Sequence, residues 1–140
     1  FGKMKINLLG IFVLIFFCSC RSGVNSLDKE LNQQLQEYYS ALLSQYSHIV
    51  IIPRTGCHSC VNEADLFFQK NKTNKSYLFI FTKLVSEKQL RIELGSESLS
   101  LENVKIDKLN HFCFPEFIES EYPLLLEKQS DGNYKYEVLQ

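Results

Sequence analysis

Two cysteines three positions apart, Cys57 and Cys60, enclose His58 and Ser59 in the segment Cys57-His58-Ser59-Cys60. That spacing allows an intramolecular disulfide, and what the pair can do depends on where the chain places it. His48 to Pro53 is a short, largely β-branched apolar run that suits a buried strand, and Pro53 closes it. From Cys57 to Lys70 the apolar residues Cys60, Val61, Ala64, Phe67 and Phe68 recur at helical spacing. The cysteines therefore fall where a strand leads through Arg54-Thr55-Gly56 into a helix N-terminus. Free N–H groups and partial positive charge at a helix start favour a thiolate, lowering a cysteine pKa from about 8.5 into a range of roughly 3.5 to 7.5. Cys57, the more exposed by position, is the expected nucleophile. Cys60, one turn inward, is the thiol expected to resolve the mixed disulfide. A protonated His58 would tune the pair further by stabilising the thiolate.

Cysteine pairs at this spacing also hold zinc, and soft thiolates suit Cu(I). Cys113 and His111 could complete such a set. Phe112, Phe114 and Pro115 surround Cys113 with apolar bulk, so it reads instead as a buried core thiol, and no metal or other cofactor is expected. Glu116, Glu119 and Glu121, with Glu63 and Asp65, read as solvated carboxylates. Phe67, Phe68, Phe79 and Phe81 read as core.

The remaining elements must hold that junction in place. Leu27, Leu31, Leu35, Tyr38 and Leu42 recur every three or four positions and predict a helix between Ser26 and Tyr46. Ser76 to Thr82 predicts a second buried strand. Ser86-Glu87-Lys88-Gln89 is a capping box opening a helix that Gly95 stops. Val104 to Asp107 predicts a short third strand. Leu124 to Glu127 and Tyr134 to Val138 predict a hairpin around Asp131-Gly132. The order helix, strand, helix, strand, helix, strand, hairpin implies an α/β fold: a central mixed sheet flanked by helices and finished by an antiparallel pair.

Composition bounds the partners. The 140 residues leave room for one domain, and 45% hydrophobic residues are enough for a packed core. Lys plus Arg number 15 against 16 for Asp plus Glu, with no basic run to neutralise a row of phosphates, so nucleic acid is not an expected partner. Lys3 and Lys5 precede an apolar stretch from Ile6 to Phe17, shorter than the roughly 20 residues of a spanning helix and suited to a secretory signal. Phe17-Cys18-Ser19-Cys20 resembles a bacterial lipobox. That resemblance implies a signal peptide over 1–19, lipidation of Cys20 (or, second, Cys18), a tether over 20–26, and an extracytoplasmic domain over 27–140 anchored to the cell envelope.

The strand, the Cys57-to-Cys60 pair and the later Tyr122-Pro123-Leu124-Leu125-Leu126 followed by Asp131-Gly132 together resemble the thioredoxin superfamily, in particular the TlpA-like extracytoplasmic thiol-disulfide oxidoreductases. The resemblance implies a thioredoxin-like fold and disulfide exchange with protein thiols. It also implies a cis-proline at Pro123 that, with Tyr122, receives an extended substrate chain. The family normally adds a C-terminal helix beyond the hairpin, whereas the sequence ends at Gln140. One face of the sheet is then covered by a different helix or left open, and an open apolar face would invite a partner. Two readings of function follow. One is a protein-disulfide reductase or oxidase using Cys57 and Cys60. The other is a thioredoxin-fold lipoprotein whose cysteine pair is structural and which serves as a binding module in a cell-envelope complex.

Overall fold

A computed structural model describes residues 26–140. The expected signal peptide, the lipidation site Cys20 and most of the tether lie outside the described residues. Ser26, at the tether's end, is the N-cap of the first helix, its hydroxyl accepting from the Lys29 N–H.

The chain is α/β. Helix α1 (Leu27–Tyr39) is followed by β1 (His48–Pro53), α2 (His58–Asn71), β2 (Tyr77–Thr82), α3 (Glu87–Leu94), the short α4 (Ser96–Leu99) and β3 (Val104–Ile106). A 3-10 turn (Ile118–Glu121) then leads into β4 (Leu124–Lys128) and β5 (Tyr134–Val138). The five strands form one open mixed sheet in the order β3-β2-β1-β4-β5. β1, β2 and β3 run parallel, while β4 is antiparallel to both β1 and β5. β1 is thus a central strand with neighbours on both sides, and a continuous apolar run is what such a position requires.

Alternation along β1 and β2 divides the core into two layers. Ile49, Ile51, Leu78 and Ile80 point to one face, where they meet Leu27, Leu31 and Leu35 of α1. Val50, Ile52, Phe79 and Phe81 point to the other, against Ala64 and Phe68 of α2 and Leu90 and Leu94 of α3. The face opposite α2 and α3 is therefore covered by α1. Its polar edge completes the packing: Asn32 Nδ2 donates to Tyr134 O and its Oδ1 accepts from Tyr134 N, while Asp28 Oδ1 accepts from Tyr136 N. These bonds take up N–H groups of the edge strand β5 that would otherwise be open to another chain.

The first helix is shorter than its sequence pattern. It ends at Tyr39, and Leu42 and Leu43 donate back to Tyr39 O in tight turns that carry Leu43 and Tyr46 into the core. Carbonyls released by this turn are taken up from the sheet. The Tyr134 hydroxyl lies 2.7 Å from Tyr46 O and 3.0 Å from Leu43 O, and Lys128 Nζ donates to Leu43 O. Tyr38, expected inside, is 43% exposed and stacks on His111. The other boundaries fall within a residue or two of expectation. Ser86 caps α3, accepting from Gln89 N, but the Gln89 side chain bonds Glu93 instead of closing the box.

Candidate functional site

Four residues carry the chain from β1 to α2. Arg54 N still donates to Thr82 O, extending the β1–β2 ladder by one residue. The chain then leaves the sheet at Gly56, whose φ of +121° is a conformation that side chains rarely adopt. A Cβ there would sit 3.2 Å from the backbone oxygen of Glu121, so glycine lets the loop lie against the 3-10 turn.

Cys57 is the N-cap of α2, and its sulfur accepts from the Cys60 N–H at 3.4 Å. Ser59 Oγ lies 3.2 Å from the same sulfur. Two donors thus converge on Cys57 Sγ at the positive end of a 14-residue helix. Cys57 and Cys60 are joined as a disulfide, with Cα atoms 5.3 Å apart. Both residues are half-buried, and His58 and Ser59 between them are exposed. The bond is reachable from solvent.

A buried cation holds the loop. The Arg54 side chain, 8% exposed, grips both oxygens of Asp65 on α2 and donates to Glu93 on α3 at 2.7 Å. Its guanidinium also lies 5.9 Å from the centre of the Phe81 ring. A hydrogen bond from Gln89, and then the Arg54 guanidinium, hold Glu93 below the ordinary glutamate range. Asp65 is therefore half-buried and paired, not a solvated carboxylate. Glu121 departs from expectation in the same way, since Lys83 Nζ binds its Oε1 at 2.5 Å and fixes the 3-10 turn that abuts Gly56. Glu63 and Glu116 are exposed as expected. Phe68, Phe79 and Phe81 are core, whereas Phe67 only borders it.

Two concavities flank the disulfide. On the His58 side a cleft of about 570 Å³ is bounded by Arg54, Glu93 and the loop Leu84-Val85-Ser86. On the other side a groove of about 400 Å³ runs beside Cys60 between the 3-10 turn and the end of β5, walled by Ile118, Tyr122, Val138 and Leu139.

Tyr122 thus lies beside the cysteine pair, and Pro123 is buried behind it. The expectation of a cis-proline is not met: no peptide bond among the described residues is cis. The segment is extended, with Tyr122 at φ −106° and ψ 156°, and Pro123 O accepts from Leu139 N, prolonging the β4–β5 pairing by one step. Trans is the ordinary state of such a bond, and Pro123 here serves as the residue leading into β4.

Cys113 is half-buried and unbonded, not sealed in the core; Phe112 and Phe114 on either side of it turn inward. Among the described residues no three of His, Cys, Asp and Glu gather into a metal-holding group, so His111 and Cys113 do not join Cys57 and Cys60. Nor is any described helix long and apolar enough to cross a membrane. No family model, curated protein or solved structure matches the chain.

Arg54 and Lys83 were not singled out by the sequence. The one available signal was an arginine directly after a buried apolar strand and three positions before a cysteine, where burial demands carboxylate partners.

Proposed function

We propose that the protein is a thioredoxin-like, TlpA-like thiol-disulfide oxidoreductase that exchanges disulfides with extracytoplasmic proteins and is held at the cell envelope through lipidated Cys20. The observation that carries this reading is the placement of the Cys57–Cys60 disulfide: at a helix N-terminus, half-exposed, with the Cys60 N–H and the Ser59 hydroxyl directed at Cys57 Sγ. A buried disulfide remote from any helix end would do nothing but hold the fold.

In the reducing direction the Cys57 thiolate attacks one sulfur of a client disulfide. A Cys57–client bond forms and the other client sulfur leaves as a thiolate. Cys60, deprotonated, then attacks Cys57 Sγ, the Cys57–Cys60 bond closes and the second client thiolate departs. The client gains two electrons and the protein loses two, which an external dithiol must return. In the oxidising direction the same steps run backwards from the disulfide form. The helix N-terminus stabilises the Cys57 thiolate, the attacking group in the reducing direction and the departing one in the oxidising direction.

Replacing Cys60 by Ser removes only the resolving step. The Cys60→Ser protein should therefore accumulate mixed disulfides with client proteins, visible as reducible bands on non-reducing gels. Absence of such adducts from the correctly exported variant would instead favour the binding-module reading.

A further inference from the structure

This inference rests on the exchange reading above and names the clients it leaves open. The two concavities beside the disulfide differ in their charges. In the His58-side cleft Arg54, Asp65 and Glu93 are committed to one another. In the Cys60-side groove the walls are apolar: Ile118 is 70% exposed and Tyr122 37%, large side chains left facing water. Glu63 and Glu119 stand at the edge of this groove, and neither has an ion-pair partner among the described residues. Among the described residues, no lysine or arginine lines it.

We propose that the groove takes an extended client segment in which an apolar residue beside the exchanged cysteine is flanked by lysine or arginine. The apolar residue would cover Ile118 and Tyr122, removing both clients' and protein's apolar surface from water. The flanking cations would face Glu63 and Glu119. A client with acidic flanks would bring like charges together at the same place, so the rim discriminates by repulsion as well as by attraction. Each exposed pair alone contributes little, and the preference therefore appears chiefly in the rate of encounter, which complementary fields raise by about 10 to 10³-fold.

The test is a single-turnover reduction by protein previously reduced with a small dithiol and freed of it. The electrons then come only from Cys57 and Cys60. Two disulfide-linked peptides, identical except for Lys or Glu on either side of the cysteine, are compared. At ionic strength near 0.01 M, where the Debye length is about 30 Å, the Lys peptide should react about tenfold faster. The ratio should fall toward one in high salt, and in the doubly substituted Glu63→Gln, Glu119→Gln protein it should be near one throughout. Because the readout is a ratio within one preparation, partial loss of folded protein does not affect it. A ratio of one in the parent protein, with a small aryl disulfide still reduced, overturns the client assignment alone. A ratio that persists in the double variant also overturns it. If neither peptide nor the aryl disulfide is reduced, the exchange reading fails, and the client assignment with it.

Discussion

Cys57→Ser should lose disulfide reductase activity toward insulin by a factor of at least about a hundred, because a serine hydroxyl supplies no thiolate at neutral pH and the thiolate is the attacking species. Removing Cys60 by the same substitution should have a different consequence, retaining the first attack and stalling at the mixed disulfide. The comparison is informative because both variants lose the same cross-link between residues three apart. Any stability that the disulfide supplies is therefore lost equally, and a difference between them reports chemistry. It originates in the capping geometry, where the Cys60 N–H and the Ser59 hydroxyl meet the sulfur of Cys57. Insulin turbidity for turnover and thiol labelling of the trapped adduct check the two halves. If Cys57→Ser reduces insulin as well as the parent does, Cys57 is not the nucleophile.

The second large effect concerns the loop that delivers Cys57. Arg54→Ala removes a cation that is 8% exposed and leaves the carboxylates of Asp65 and Glu93 facing the same vacated space. Breaking a buried pair costs about 3–5 kcal/mol; with Glu93 39% exposed, a loss of about 2–3 kcal/mol is expected, read as a lower urea midpoint. Lysine should restore only part of it, since one ammonium cannot grip both oxygens of Asp65 while also reaching Glu93. The pH dependence gives an independent check. In the parent protein Glu93 is held below the ordinary glutamate range, first by Gln89 and then by Arg54. A carboxylate depressed in the folded state contributes stability above its unfolded pKa, and this is lost as pH falls through the folded one. In Arg54→Ala, protonating Glu93 relieves its repulsion with the neighbouring carboxylate, so acid should help the folded state there. The stability gap between the two proteins should consequently narrow on going from pH 7 toward pH 4. Parallel curves would show that Arg54 holds the loop by packing on Phe81, not by charge.

What could be read from the sequence was whatever depends on near neighbours. β1 spans His48–Pro53 as its apolar run predicts, and the junction carrying Cys57 and Cys60 follows from that run and the helical spacing after it. The hairpin turn falls at Gly132, with φ of +86°, where Asp-Gly placed it. What escaped depends on residues far apart in the chain. Arg54 meets partners 11 and 39 positions away, and Lys83 meets Glu121 across 38. Neither pairing has a local periodicity. The 3-10 turn over Ile118–Glu121 reads locally as a polar stretch, and its place is fixed by Gly56 and Lys83 from elsewhere in the fold. The sequence pattern carries the first helix past Tyr39 because Leu42 continues the spacing of three or four, although Leu43 and Tyr46 are the residues that reach the core. The trans bond before Pro123 went against an expectation drawn from family resemblance, not from the residues themselves.

The most direct test of Cys57 and Cys60 as an exchange centre is the reduction potential of their disulfide, measured by equilibration in glutathione buffers with the two thiols quantified by alkylation. Half-reduction between about −270 and −120 mV, the span of working thiol-disulfide exchangers, is the expected result. A potential below about −300 mV, where inert structural disulfides lie, would contradict it.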